Sequence, residues 1–147
     1  MTLFTCILLL NQQGCKNSEE SVKGCSDFHG ITKTNKSGDI IGPEDSNDWK
    51  KNEFLRHFVA YPNPFYRKCT IVFAITDTAH IKITINTRPD HVIHTLIDSV
   101  YEEPAAIDFI DWDVRHDEFP HCVYRVYITA TTDDNVYKSY GDIEIKL

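Results

Sequence analysis

The chain is short of basic charge. Against 22 Asp and Glu it has 15 Lys and Arg, a formal net charge of −7, and cations adjoin only in pairs such as Arg67-Lys68. Neutralising phosphates takes clustered Lys and Arg, so this distribution excludes a nucleic-acid partner. No two cysteines stand in a CxxC pair, which removes zinc-ribbon and thioredoxin-like sites. Neither GxSxG nor HExxH occurs, there is no glycine-rich phosphate loop, and most serines lie in the first fifty residues. Nucleophile, metalloprotease and nucleotide signatures are therefore missing, the chain reads as non-enzymatic, and nothing calls for a cofactor. No apolar run approaches the ~20 residues that a spanning helix needs. Asp39, Glu44, Asp45 and Asp48 crowd together but lack the alternating acidic order of a calcium loop, and read as a solvated acidic turn.

What is present begins at the N-terminus. Leu3 to Leu10 form an apolar run followed by Asn11, Gln12, Gln13, Gly14 and Cys15. Such a run suits the core of a signal peptide, about 7–15 residues long. Gly14-Cys15 resembles the lipobox of bacterial lipoproteins, although Gln12 and Gln13 replace its usual Leu and small residue. The resemblance implies that residues 1–15 are a signal ending at a lipidated Cys15. "KNSEE" after it resembles a surface-export signal of lipoproteins. Membrane attachment through the lipid, at the outer membrane of a bacterial envelope and on its surface, is the expectation. The competing reading is an apolar N-terminal strand or helix buried in the domain. Loss of Cys6 and acylation of Cys15 would leave Cys25, Cys69 and Cys122, an odd number. Cys69 and Cys122 both lie in strand-like runs, as small buried hydrophobes or as a pair.

Residues 16–57 are rich in Lys, Ser, Asn, Gly, Asp and Glu and hold no steady period. Composition of this kind offsets little ordering entropy and predicts a flexible tether. At ~5–6 Å times the square root of length, roughly 40 residues would reach about 35 Å. Ile40, Ile41 and Trp49 are the residues placed to dock back on the domain.

From Phe58 the pattern changes. "TIVFAI" (70–75) is a continuous apolar run, and "IKITIN" (81–86) alternates Ile81, Ile83 and Ile85 against Lys82, Thr84 and Asn86. "HVIHTLI" (91–97), "AIDFIDW" (106–112), "CVYRVYITA" (122–130) and "GDIEIKL" (141–147) complete the series, the last after a turn near Asp133-Asp134-Asn135. Period-2 alternation with turn signals between short runs predicts an all-β, antiparallel sandwich of about seven strands over residues 58–147. Ile71, Phe73, Ile83, Ile85, Leu96, Trp112 and Tyr124 are its expected core. "AYPNPF" (60–65) is expected to open the first strand, because Pro62 and Pro64 favour extended neighbours yet give no ladder donor.

Taken in order, Tyr61-Pro62-Asn63-Pro64-Phe65, Val92 or Ile93 with Leu96, Trp112-Asp113 and Val123-Tyr124 resemble the Ig-like module of the flagellar hook-capping protein. The same elements resemble the C-terminal domains of type IX secretion cargo. The resemblance implies an Ig-like sandwich serving adhesion, assembly or scaffolding, with an envelope protein as partner. Asp90 stands where that family has Gly, and the chain runs on past the family's usual end. The alternative function is a carbohydrate- or metal-binding module. It would use Trp112, Tyr124 and Tyr127 as a sugar platform, or the His116–His121 loop beside Cys122 as a metal site. His91 and His94, three apart on a strand, point to opposite faces and do not share an ion.

Overall fold

Alternating burial along short β-branched and aromatic runs closes into two stacked antiparallel sheets. A computed structural model describes residues 26–102, 108–115 and 119–146. Its seven strands are β1 (Leu55–Tyr61), β2 (Lys68–Ile75), β3 (Ala79–Arg88), β4 (His91–Tyr101), β5 (Asp108–Asp113), β6 (Val123–Thr131) and β7 (Val136–Glu144). One sheet has the order β1-β2-β5 and the other β4-β3-β6-β7. The expected all-β sandwich is thus the architecture found.

Between the sheets lie Ile71 and Phe73 from β2, Ile81, Ile83 and Ile85 from β3, and Val126 and Ile128 from β6, all buried. Trp112 and Tyr124 join them, and Leu96 packs against the cluster from β4. Burying one such side chain stabilises by about 1.5–3 kcal/mol. The edges are managed differently. Among the described residues β4 pairs with β3 alone, and register shifts near Ile83, Ile85 and Asn86 interrupt that ladder. Bulges of that kind discourage addition of a foreign strand.

Two expectations need correction. The first strand does not open at "AYPNPF" but ends there. Leu55, Phe58 and Ala60 supply its buried face, and a register shift between Leu55 and His57 breaks the two-residue period that would have marked it in the sequence. Pro62 and Pro64 then break the ladder. Nor is the whole of 16–57 a free tether. Residues 26–54 form a strap along the sandwich that buries Phe28, Thr32, Thr34, Asp48, Trp49 and Phe54. Of the residues expected to dock back, Trp49 does so, whereas Ile40 and Ile41 remain exposed. Residues 16–25 of the expected tether, and Cys15 with its signal, lie outside the described residues.

Trp49 closes the seam between the sheets. Its backbone N–H donates to Tyr140 O on β7, and its ring meets Phe58 of β1 edge-on at 4.8 Å between centroids. Its φ of 54° is in the left-handed region, which costs a residue with a side chain about 1–2 kcal/mol. The opposing position has to be glycine. A Cβ on Gly141 would lie 2.1 Å from Trp49 Cδ2.

Candidate functional site

The polar residues that sequence patterning singled out sort into three places: a buried joint, an aromatic end of the core, and an open cleft. The joint is built on "YPNPF". Asn63 is fully buried; its Nδ2 donates to Thr32 O (2.9 Å) and Asp142 O (2.8 Å), and its Oδ1 accepts from Glu144 N (3.0 Å). Its backbone exchanges two further bonds with Thr34. Phe65 accepts at its carbonyl from Lys146 N and donates from its N–H to Glu144 O. One short motif therefore ties the strap, the β1–β2 connection and β7 together. Tyr61 and Pro62 end β1, and Pro64 turns the chain toward β2.

Beside it, Asp48 of the strap accepts from Thr32 N (2.9 Å) and Asp142 N (3.0 Å). The solvated-turn expectation fails for this one carboxylate, which is buried, while Asp39, Glu44 and Asp45 stay at the surface. Burial, with the charges of Asp142 and Asp45 adding to it against the two N–H donors, raises its pKa to about 6. Asp142 is raised by burial too, offset by its two-pronged pairing with Arg125 at 2.6 and 2.7 Å. The Arg125 guanidinium is sandwiched between the rings of Phe28 (4.2 Å) and Tyr140 (3.9 Å). A desolvated cation held over two ring faces fastens the start of the strap to the outer face of the four-stranded sheet. No sequence pattern marked Arg125 or Asp142; their partners come from remote parts of the chain.

The aromatic end holds Trp112, Phe119, Tyr124 and His94. Trp112 meets Phe119 edge-on at 5.1 Å and lies face to face with His94 at 6.4 Å. Tyr124 donates its hydroxyl to Pro120 O four residues upstream (2.7 Å), and burial pushes that hydroxyl up to about 12. Trp112 and Tyr124 are buried, so they offer no platform to a sugar; Tyr127 lies on the outer face against Tyr140. His91 Nδ1 shares a bond with Thr87 Oγ1 at 2.8 Å. Among the described residues no three His, Cys, Asp or Glu converge as a metal requires. His116 lies outside them.

The cysteines divide. Cys69 is a free, fully buried thiol, pushed up to about 12 by that burial, and behaves as a small hydrophobe. Cys122 is disulfide-bonded. The two do not pair with each other.

The open concavity is a cleft of about 800 Å³ where β2 turns into β3 and β6 into β7. Glu53, Asp77, Asp133 and Asp134 bring carboxylates to it, with hydroxyls from Thr76, Thr78, Thr131 and Thr132. Its place in the fold matters. The strap enters beside the far end of β3, where Asp27 N donates to Thr87 O. β3 runs ten residues from the cleft residue Ala79 to Arg88, about 30 Å at ~3.3 Å per residue. Entry and cleft are at opposite poles. The chain matches no protein-family model, no curated protein and no solved structure.

Proposed function

We propose that the chain is a non-enzymatic, lipid-anchored protein of a bacterial envelope that holds an Ig-like module outward for adhesion, assembly or scaffolding. The observation that carries this reading is the polarity just described. The strap enters at one pole, and the concave surface rich in carboxylates and hydroxyls opens at the other. A domain held by its N-terminal end presents that cleft away from its support.

Three further features favour the reading. The order β7-β6-β3-β4 against β1-β2-β5 corresponds to the G-F-C-C′ and A-B-E sheets of Ig-related sandwiches. The Tyr124–Pro120 bond at the start of β6 matches the corner bond of such folds. A disulfide at Cys122 suits an oxidising compartment outside the cytosol. The buried polar side chains Asn63, Asp48, Asp142 and Arg125 are committed to fastening the strap, which leaves recognition to the surface.

Cys15 is the anchor point in this scheme, and stable attachment takes more than one acyl chain. Cells fed radiolabelled fatty acid should label the wild-type protein and leave Cys15→Ala unlabelled and soluble after membrane fractionation. Equal labelling of the two would discard the anchor.

A further inference from the structure

We infer that the pole where the strap begins rests on the membrane, with Ile40, Ile41 and Tyr66 in the headgroup layer and Lys33 and Lys36 over anionic lipid. This contact adds a surface of the folded domain to the lipid anchor proposed at Cys15, on which it rests.

Docking of the strap is what brings the domain down. A tether running to residue 57 would hold the sandwich roughly 35 Å out. The chain is instead fastened from Asp27, whose N–H donates to Thr87 O. Ten residues, 16–25, separate Cys15 from the described strap. Such a length reaches about 35 Å at full stretch and about 17 Å as a coil. Either keeps the entry pole within about one domain length of the lipid.

That pole presents a fixed hairpin. Thr34 bridges Ile40, Ile41 N donates to Lys33 O (2.8 Å), and Asn35 Oδ1 accepts from Ser37 N and Asp39 N. Two backbone bonds between Thr34 and Asn63 hold its base. Gly38 lies against the Tyr61 ring, where a Cβ would come within 3.1 Å of Cδ1. Tyr61 ends β1, and Asn63 bonds Glu144 at the end of β7, which places the hairpin at the entry pole. Ile40 and Ile41 are each 48% exposed there, and Tyr66, just before β2, is 62% exposed. A turn fixed by its own bonds that leaves two isoleucines in water gains little from them in the core. Tyrosine concentrates at bilayer interfaces, and apolar residues beside Lys suit the boundary of headgroups and acyl chains.

Charge orients the molecule in the same sense. Lys33 and Lys36 are exposed. Acids at their pole are engaged: Asp27 with Arg88, Asp113 with Arg67, Asp111 with Lys68 and Asp39 with Asn35. The cleft pole has Glu53, Asp77, Asp133 and Asp134, none of them in a salt bridge among the described residues. Val100 and Val136, also exposed, stand beside those carboxylates. An anionic bilayer attracts the first pole and repels the second, which turns the cleft outward.

Full-length protein with its acyl chains, reconstituted into vesicles of phosphatidylethanolamine and phosphatidylglycerol, tests the contact. Tyr66→Trp puts a reporter at the proposed surface and Val136→Trp one at the far pole, over a common background from the buried Trp49 and Trp112. Brominated acyl chains should quench the fluorescence added by Tyr66→Trp about threefold or more beyond that added by Val136→Trp. Ile40→Ser with Ile41→Ser, added to Tyr66→Trp, should remove that excess while the protein still floats with the vesicles. Equal quenching at the two poles, or an excess unmoved by the serines, in protein that floats overturns the contact and leaves the anchor standing. Protein that does not float overturns both. A reporter at position 66 that escapes bromine, yet is shielded from acrylamide as protein concentration rises, would give the patch to a second copy and overturn the lipid contact.

Discussion

Asn63 stands between two prolines and gives one amide side chain to three segments: Thr32 of the strap, and Asp142 and Glu144 of β7. Pro64 keeps this residue out of helical geometry and in the extended region, where its backbone bridges to Thr34 and its side chain reaches the strap and β7. Asn63→Ala would leave two carbonyls and one N–H buried without partners, each costing about 1–3 kcal/mol. The expected loss in urea denaturation is about 3 kcal/mol or more. A loss below about 1 kcal/mol would contradict the role given to this side chain. Trp112 and Tyr124 show the same logic in apolar form. Their place in the core was legible from alternation in their strands, while the Tyr124 bond to Pro120 depends on a corner that only the folded chain makes.

The strap is the element on which local sequence misleads. Composition over residues 26–54 is that of a solvated linker, yet Trp49 plugs the seam between β1 and β7, and Ser139 donates its hydroxyl to Lys50 O. Its polar lock responds to pH. Asp48 titrates at about 6 when docked and at the ordinary 3.8 when released, so docking takes up a proton between those values. The docked state binds more protons than the released state, and its stability falls as pH rises. Strap protection is thus fullest below 3.8 and is lost as pH climbs through about 6. The nearby Asp142, also raised by burial, acts in the same sense; Arg125 opposes it, and Asp45 raises both carboxylates. Corrected for the intrinsic base catalysis of amide exchange, exchange at Thr32 should therefore quicken between pH 4 and 7, by up to on the order of a hundredfold at tenfold per unit. Asp48→Asn, neutral throughout, should flatten that rise. A slope as steep in the variant would place the titration elsewhere.

At the scale of the whole molecule the two poles differ in kind. The start of the strap, where Asp27 meets Thr87, and the β7 end with its Phe65–Lys146 bond gather at one. The other has the β2–β3 and β6–β7 turns around the cleft. Salt links across the three-stranded sheet join the basic pair Arg67-Lys68 to Asp113 and Asp111. They are exposed and contribute little to stability. Surface display predicts that trypsin added to intact cells cuts at Lys16 or Lys23 and releases a soluble domain. Release only after the outer membrane is permeabilised would place the domain on the inner face.

The sequence by itself located β2 to β6 and the end of β7, through apolar runs and the two-residue period that burial on one face writes into neighbouring positions, while the first half of β7, from Val136, carried no such mark. It determined the isoleucine and aromatic core for the same reason. Tertiary structure alone decided that β1 precedes "YPNPF", that a polar stretch is a strap, and that entry and cleft oppose each other. Those features rest on single contacts between residues far apart in the chain: Trp49 on Gly141, Asn63 with Asp142, Asp48 with Asp142. A partner at such separation leaves no periodic mark on its surroundings. A buried Asp or Asn reads as solvated until the group that desolvates and bonds it is in place.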